Sequence, residues 1–350
     1  MGTGSGHALR GQWYFDRSRP GCVRAFGLSD SSEIVFEGAL AEHPELAARA
    51  AGLPELERAL LEPEEPATLR RLLAPEGFGL LFLELTGRCN ENCVHCYASS
   101  GPEVGASLDR ELIFAVLRDA AGLGFRSVQL TGGDPLVSPH FLPAAELSRE
   151  LGLEIEVYTN GLALREELVL SLVPLKAELA FSVYSSDPAA HDAVTRTPGS
   201  HARTLAAIAL AQKYGLEVRV GVVLSEVNAA TLDETVSLLI AQGIDESKIA
   251  TTRERSVGRG EHRNQQERLE RGRAHATEPD RLGKLCVSYE GKVLPCIFDR
   301  KTVLGDVRER SLGEILDQEV GSLRFPRHLR PVSEELSCQD CQFRRRLLGG

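Results

Sequence analysis

The sequence has no long apolar run and no excess of positive charge, and each absence excludes a class of protein. A membrane-spanning helix needs about 18 or more consecutive apolar residues, and no such run occurs among the 350 residues. The first residues do not join a basic segment to an apolar one, so no secretory signal is predicted. A formal net charge of −10 disfavours nucleic acid or an anionic membrane as a partner. We therefore expect a cytoplasmic protein that binds neither.

The composition is that of a globular chain. Hydrophobic residues make up 42% and charged residues 26%, a balance that allows a large buried core. At 350 residues, two or three domains are expected. One segment, 253–275, is rich in arginine but alternates it with glutamate. That alternation predicts a solvated surface rather than a binding arm.

From residue 79 onward, apolar strand-like runs alternate with amphipathic helix-like segments, the pattern of parallel βα units. The predicted strands are 79–86, 127–131, 154–159, 178–184, 217–225 and 248–253. The predicted helices are 109–122, 140–151, 164–173, 201–214 and 231–242. This α/β pattern predicts a partial (β/α)6 TIM barrel or an open doubly wound sheet. A full eightfold barrel needs two more strands, which the cysteine-rich tail does not supply.

The segments on either side of this predicted barrel, at 79–260, differ from it. Residues 1–78 hold two strand candidates, 22–26 and 34–37, and then helical segments interrupted by prolines. They predict a small N-terminal α+β domain that recognises a substrate or peptide. Residues 279–350 predict a third domain, in which a hairpin turn at Glu290 and Gly291 brings two cysteines together.

Seven of the eight cysteines form two groups. The first group follows the first predicted barrel strand, and the second lies near the end of the chain: Cys89, Cys93 and Cys96, then Cys286, Cys296, Cys338 and Cys341. A reducing cytosol disfavours disulfides, so metal or catalytic use is expected. Three thiolates can hold three irons of a 4Fe-4S cube and leave the fourth iron open for a ligand. A zinc site with His95 as fourth ligand is the alternative.

The eighth cysteine, Cys22, stands apart from both groups. A buried structural role is expected because free cysteines pack as small hydrophobic residues. The alternative is a catalytic hydrogen-atom donor that quenches a substrate radical.

The spacing Cys89-x3-Cys93-x2-Cys96 resembles the radical SAM superfamily, with His95 where that family carries an aromatic-type residue. The resemblance implies that the open iron binds the amino and carboxylate groups of S-adenosylmethionine. One electron from this SAM-binding 4Fe-4S cluster then cleaves the cofactor to methionine and a 5'-deoxyadenosyl radical.

Further motifs resemble cofactor contacts of the same family. Gly132-Gly133-Asp134-Pro135 resembles the glycine-rich motif that grips the methionine amino group, with Asp134 in place of the usual Glu. Ser182 resembles the serine that contacts the cofactor's ribose or carboxylate, and Arg196 resembles the arginine that pairs with the carboxylate.

The second cysteine group, together with 304–307 and 311–316, resembles the C-terminal SPASM/twitch extension of radical SAM enzymes. Its four cysteines suffice for one auxiliary 4Fe-4S cluster, which favours the shorter twitch version. A cluster with four thiolates has no open iron, so the resemblance implies a role in electron transfer.

The resemblance implies a radical SAM oxidoreductase that oxidatively modifies a ribosomally synthesised precursor peptide by C–H abstraction and crosslinking. An external electron donor such as flavodoxin or ferredoxin is implied as a partner. An alternative is dehydrogenation or epimerisation of a small molecule such as a sugar or aminocyclitol. A hypothesis of another class is a zinc-stabilised binding module without catalysis.

Metal analysis separates these classes. Two cubes predict a brown, oxygen-sensitive protein with about eight irons per chain and matching acid-labile sulfide. Iron, zinc and sulfide are measured after anaerobic purification. A colourless protein that contains zinc and no labile sulfide would contradict the iron-sulfur interpretation.

Overall fold

The computed structural model describes residues 7–10, 13–16, 22–27, 33–37, 39–61, 65–66, 68–74, 77–262 and 283–318. They belong to two compact units. The first unit holds the described residues up to 77, with 283 and 313–318, and the second holds 78–262 and 284–312. Cys338 and Cys341 lie outside the described residues. The three domain ranges expected from the sequence stay predictions.

The first unit contains an antiparallel sheet with strand order β4-β3-β2-β1-β5. The strands are β1 His7–Arg10, β2 Trp13–Asp16, β3 Cys22–Gly27, β4 Glu33–Glu37 and β5 Glu65–Pro66. The helices are α1 Ala39–Glu42, α2 Pro44–Ala50, α3 Pro54–Leu61 and α4 Leu69–Leu73. The predicted strands β3 and β4 are confirmed.

The core of this unit lies between the sheet and helices α2 and α3. Alternation along β3 puts Val23 and Ala25 on one face, where they form a buried cluster with Phe15 and with Leu56 of α3. Pro54 begins α3 rather than interrupting a helix, because proline's fixed φ suits the first helical turn. Strands β1, β2 and β5 were not predicted, since runs of two to four residues are too short to establish a period of two.

The second unit contains a nine-stranded sheet with strand order β11-β10-β9-β8-β7-β6-β12-β13-β14. The six predicted barrel strands are confirmed as β6 Leu80–Glu84, β7 Ser127–Thr131, β8 Glu154–Thr159, β9 Glu178–Ser182, β10 Val218–Leu224 and β11 Ile249–Arg253. The remaining strands are β12 Lys284–Val287, β13 Lys292–Leu294 and β14 Gly305–Asp306.

The order of the six strands decides between the two predicted architectures. They pair in parallel and in sequence order from β6 to β11. A doubly wound sheet reverses its strand order at a switch point within its run of βα units, whereas β6 to β11 follow one another without a reversal, and the order changes direction only where β12 joins β6. The fold is therefore a partial (β/α)6 TIM barrel.

The C-terminal region adds strands to the barrel sheet, contrary to the expectation that it does not extend the barrel. Strand β12 pairs in parallel with β6, beginning with Lys284 opposite Leu80. Strand β13 then pairs antiparallel with β12, which confirms the predicted hairpin, and Gly291 in its turn has φ +81. The three-cysteine loop therefore follows β6 in the chain, and β12, which carries Cys286, lies beside β6 in the sheet.

Helices between the strands are α5 Arg110–Gly122, α6 Phe141–Glu150, α7 Glu166–Leu172, α8 Pro188–Thr195, α9 Ser200–Lys213, α10 Leu232–Ala241 and, after β14, α11 Leu312–Leu316. Five match predicted helices, and α8 was not predicted as a helix. No helix in the described ranges is long and apolar enough to cross a membrane.

Helices α8 and α9 are joined by one carboxylate. Asp192 accepts hydrogen bonds from the backbone N–H of Gly199 and His201 and from the hydroxyl of Ser200. The end of α8 in turn accepts hydrogen bonds from the three-cysteine loop, Asn92 N to Thr195 O at 3.1 Å among them. Asp192 therefore stabilises the helix end on which the cysteine loop rests.

We expect Asp192→Asn to lower the free energy of unfolding by about 1 kcal/mol and to reduce iron retention. Burial raises the pKa of Asp192, but its hydrogen bonds from His201, Gly199 and Ser200 outweigh burial and hold that pKa below its usual value. The ionised carboxylate therefore adds stability above the unfolded pKa of about 3.9, and this stability is lost as the pH falls through the folded pKa.

Chemical denaturation at several pH values measures the difference between wild type and variant, which should shrink below about pH 4. Asp245→Asn is the matched control, since Asp245 also caps a short turn, through Ser247, but does not touch the cysteine loop. Equal iron loss in both variants would contradict the assignment.

Candidate active site

A cavity of about 140 Å³ lies at the carboxyl ends of the barrel strands, where enzymes of this architecture carry their active sites. Its wall is formed by residues from the ends of successive strands and from the loops after them. They include Cys89, Cys93, His95 and Cys96; Gln129, Thr131, Gly132 and Gly133; Tyr158, Thr159 and Asn160; Ser182 and Tyr184; and Arg253, Arg255 and Arg259. The structure thus brings together the three cysteines of the first group and four of the seven residues predicted to contact the cofactor, His95, Gly132, Gly133 and Ser182.

The three-cysteine loop has little regular structure of its own, so other segments supply partners for its backbone. Cys89 N donates to Gly101 O at 3.1 Å, and Val94 N donates to Val194 O of α8 at 2.9 Å. Buried backbone groups need such partners. The loop is therefore held at both its start and its middle.

Arg259 holds the opposite side of the same loop. Its Nε donates to Cys93 O at 2.8 Å, and its Nη1 donates to Ser100 O at 2.7 Å. A side chain on the preceding Gly258 would lie 2.4 Å from Cys96 O. The solvated-surface interpretation of 253–275 is therefore wrong for Arg259, because its guanidinium satisfies carbonyl oxygens of the cysteine loop. Residues 263–275 lie outside the described residues.

The glycine-rich motif packs directly on the backbone that precedes Cys89. Gly133 N donates to Thr86 O at 2.6 Å, and Asp134 N donates to Arg88 O at 3.0 Å. A Cβ on Gly132 would lie 2.4 Å from Thr86 O, and one on Gly133 would lie 2.2 Å from Arg88 O. Both positions need glycine because the two backbones are in contact.

Asp134 joins the loop after β7 to the end of β8. It is not among the described residues that line the cavity. Its fully buried carboxylate accepts hydrogen bonds from Thr159 Oγ1 at 2.7 Å and Asn160 N at 2.9 Å. Burial raises the pKa of Asp134, and these hydrogen bonds oppose the rise. Pro135, also buried, follows in a short 3₁₀ turn. Cofactor contact by either residue stays a prediction.

Asn160 was not predicted as a site residue, yet its side chain contacts a cysteine. Its Nδ2 donates to Asn90 Oδ1 at 2.6 Å and to Cys89 Sγ at 3.6 Å. Its Oδ1 accepts from Leu162 N at 2.9 Å, which fixes the orientation of the amide. The signal in the sequence was its position directly after a barrel strand.

Burial shifts the pKa values of the acidic groups in the three-cysteine loop. It raises the pKa of the Cys89 and Cys93 thiols, and it raises the pKa of Glu91 to about 8. Three thiols and a carboxyl crowded together in this way suit a cationic centre, because a bound metal lowers the pKa of coordinating thiols. Thiolate ligands are also those that iron-sulfur clusters use.

Four buried polar atoms in the cavity wall have no hydrogen-bond partner among the described residues. They are Glu91 Oε1, Ser100 Oγ, Gln129 Nε2 and Arg259 Nη2. Leaving such a group unpaired costs about 1–3 kcal/mol. The wall therefore fits a polar molecule bound beside the cysteines, as the cluster and S-adenosylmethionine would be.

A mononuclear zinc site does not fit. No three His, Cys, Asp or Glu side chains within the described ranges are placed to ligate one metal ion, whereas a cube distributes three thiolates over three irons. His95, the predicted fourth zinc ligand, instead packs edge-on against Tyr184 at 5.0 Å.

The remaining predicted residues lie in different places. Ser182 lines the cavity, where its hydroxyl donates to Tyr158 Oη at 3.3 Å. Arg196 is exposed at the left-handed end of α8, with φ +54, and does not border the cavity in the described residues. Cys22 is 5% exposed within β3 of the first unit. Their proposed roles stay predictions.

Arg253, the last residue of β11, and Arg255, two residues after it, do line the cavity. Sequence reasoning had grouped them with the charged segment that follows. Their position directly at the end of a barrel strand was the signal that would have placed them in the site.

Two cysteines of the second group lie close to the first. Cys286 is fully buried in β12, and Cys296 follows β13. Both pack in a cluster with Phe82 of β6 and with Tyr97, the residue after Cys96. The described half of the second cysteine group is thus packed against the three-cysteine loop.

Comparisons with known proteins agree with this geometry. Residues 83–239 match the radical SAM superfamily, and residues 281–342 match the SPASM iron-sulfur cluster-binding domain. The AdoMet-dependent heme synthase of Methanosarcina barkeri is 30% identical over 45% of this chain and 46% of its own. The PqqA peptide cyclase of Gluconobacter oxydans is 29% identical over 49% of each chain. The chain spans about half the length of these curated relatives.

The fold is also found in a solved structure. Streptococcus suis SuiB bound to its precursor peptide SuiA aligns over 94% of both chains with a TM-score of 0.60 and 14% identity. Residues 83–239 are a radical SAM domain, a class of domain that holds a 4Fe-4S cluster and binds S-adenosylmethionine. The chain also carries a C-terminal SPASM domain, which implies auxiliary iron-sulfur chemistry in addition to the SAM-binding 4Fe-4S cluster.

Gly133→Ala tests the contact between the two backbones. We expect the first cluster to be lost, because the added Cβ meets Arg88 O and Gly87 O, neither of which can move without displacing the cysteine loop. Iron should fall to about four per chain, the content of one cube. Gly122→Ala in α5 is the control, since nothing lies within 4 Å of its Cβ. Full iron content in Gly133→Ala would contradict the assignment.

Proposed function

We propose that the chain reductively cleaves S-adenosylmethionine and oxidatively modifies a ribosomally synthesised peptide, with an auxiliary 4Fe-4S cluster as electron acceptor. The observation that carries this proposal is an aromatic pair in the cavity wall that lies between the two cysteine groups. Tyr97 follows Cys96, and Phe298 lies two residues after Cys296. Their ring centroids are 5.4 Å apart in an edge arrangement.

Both rings line the cavity, and so does Ile297. Arg255 lies over the Phe298 ring, with its guanidinium carbon 4.5 Å from the ring centroid, an arrangement that stabilises the ring's position. A substrate in this cavity would touch the same aromatic wall that both cysteine groups support. In the proposed oxidation, the radical forms at the first cysteine group and the electron is accepted at the second, so the two groups must lie close together.

When bound, the first cluster, which Cys89, Cys93 and Cys96 would hold, and S-adenosylmethionine would supply a 5'-deoxyadenosyl radical for abstraction of one hydrogen atom from a substrate C–H bond. Loss of one further proton to solvent or a base, and of one electron to the auxiliary cluster, would leave the product two hydrogen atoms lighter. The chain's own residues hold the reactants for these steps. Gly132 and Gly133 offer backbone groups close to the cysteines, while Gln129 and Arg253 offer polar contacts elsewhere in the wall.

A peptide substrate is supported by two kinds of observation. Gln129 is 1% exposed on β7 and has an unpartnered amide Nε2 in the cavity wall, and an amide side chain can pair with a peptide group through both a donor and an acceptor. Relatives with peptide substrates in their names include the PqqA peptide cyclase, and SuiB has been solved with its precursor peptide. A flavodoxin or ferredoxin is proposed as the external reductant, and Cys338 and Cys341 as the two further ligands of the auxiliary cluster.

Anaerobic reconstitution with S-adenosylmethionine, a reductant and candidate precursor peptides tests the proposal. Mass spectrometry should detect a peptide that has lost two hydrogen atoms, together with 5'-deoxyadenosine. An unchanged mass with uptake of solvent deuterium would favour epimerisation instead. Absence of 5'-deoxyadenosine under reducing conditions would exclude the radical reaction.

Cys296→Ala separates cleavage of S-adenosylmethionine from oxidation of the peptide. We expect 5'-deoxyadenosine to be formed while the oxidised peptide is lost at least about 100-fold, since ligand removal leaves the electron without its acceptor. Val303→Ala is the control, because that side chain is exposed on the same segment. Undiminished product from Cys296→Ala would show that the second cysteine group has no part in the oxidation.

A further inference from the structure

A buried ion pair lies between the two cysteine groups, and cluster ligation does not require it. Glu84 is the last residue of β6 and is fully buried, while the side chain of Arg300 is 18% exposed. Arg300 Nη1 donates to Glu84 Oε1 at 2.6 Å, and Nη2 donates to Oε2 at 3.1 Å. This bidentate arrangement fixes the guanidinium in direction as well as in distance.

The ion pair contacts the three-cysteine loop through Tyr289. Tyr289 N donates to Glu84 Oε2 at 3.3 Å, and Tyr289 Oη donates to Ala98 O at 3.1 Å, two residues after Cys96. The absence of a side chain at Gly87 admits the Tyr289 ring, since a Cβ there would lie 2.8 Å from it. The Arg300 guanidinium carbon is 6.0 Å from the centroid of that ring and 5.9 Å from the centroid of Tyr97.

The same pair lies beside the second cysteine group. Cys286 of β12 is paired with Phe82 of β6, two residues before Glu84 and therefore on the same face of the sheet. The ion pair therefore lies beside the residue whose sulfur would ligate the auxiliary cluster.

Stability alone gives a weak reason for this pair. Removing two charges from water is costly, and well-packed apolar residues often stabilise a core as well as a buried ion pair does. Burial raises the pKa of Glu84, and the charge and hydrogen bonds of Arg300 oppose that rise. A fixed pair of opposite charges beside a redox centre has an electrostatic effect that apolar residues cannot reproduce.

We propose that Glu84 and Arg300 set the reduction potential of the auxiliary cluster that Cys286 and Cys296 would ligate, and that they position the three-cysteine loop against it. This inference rests on the proposed function, because it assigns the pair to the electron-accepting half of that chemistry. Reduction adds one negative charge to a cluster. A nearby carboxylate opposes that charge, and a nearby guanidinium favours it.

Opposite changes in charge should therefore shift the potential in opposite directions. In Glu84→Gln the shape is kept and Arg300 stays as an unbalanced cation, so we expect the midpoint potential of the auxiliary cluster to become more positive. In Arg300→Gln, measured at alkaline pH where the buried carboxylate keeps its charge, we expect this midpoint potential to become more negative. The first cluster should shift less in both variants.

Redox titration of the reconstituted full-length chain, followed by electron paramagnetic resonance without peptide, measures these potentials. Added S-adenosylmethionine distinguishes the clusters, because it perturbs only the one with an open iron. Glu261→Gln is the control. It removes the carboxylate that pairs with Lys301 at 2.9 Å on the surface. Lys301 is the residue after Arg300, so the control changes a charge on the same segment. Solvent screens that pair, so its loss should leave both potentials unchanged.

Wild-type midpoints in Glu84→Gln and Arg300→Gln, with full iron content, would overturn the assignment. An equal shift in Glu261→Gln would also overturn it. Either single variant tests the proposal if the other fails to retain iron. The titration contains no peptide, so a failure of the proposed peptide chemistry would leave this result interpretable, and a failure here would leave the peptide chemistry standing.

Discussion

The site depends on one constraint: the three-cysteine loop has no regular structure to pair all of its backbone groups, although Cys96 N donates to Cys93 O, and it obtains further hydrogen-bond partners from its neighbours. Gly101, α8 and Arg259 each pair with a backbone group of the loop. An irregular buried segment is stable only when its backbone polar groups are satisfied. The positions of the three thiols therefore follow from the barrel's loops rather than from the loop's own sequence.

The glycine-rich motif belongs to the same constraint. Gly132 and Gly133 allow the loop after β7 to touch the backbone after β6, and Asp134 then joins that loop to the one after β8. Asn160, held by the same network, donates to Cys89. Three consecutive βα loops are linked by hydrogen bonds that end at a thiol. Such outer contacts orient ligands and influence the potential of a cluster.

Strand periodicity predicted the barrel well because parallel strands buried on both faces are continuous apolar runs. β7 and β8 have the bounds predicted for them, and glycines with φ between +73 and +87 follow the helices at Gly124, Gly152, Gly215 and Gly243. The misses have different causes. Helix α8 is short, and Pro188 and Asp187 at its start are also turn formers. Strand β12 joins β6 across about 200 residues, a pairing that no local pattern can reveal.

The sequence by itself determined the thiols, their spacing, the alternation of strands and helices and the loops that face one another. These follow from local periodicity and from the rule that the carboxyl ends of parallel strands meet at one edge. Only the tertiary structure decided that Arg259 clamps the cysteine loop and that Glu84, Arg300 and Tyr289 lie between the cysteine groups. Glu84 and Arg300 are 216 residues apart. Which charges meet over such a separation is decided by strand pairing and burial, because each ion is stable there only beside the other.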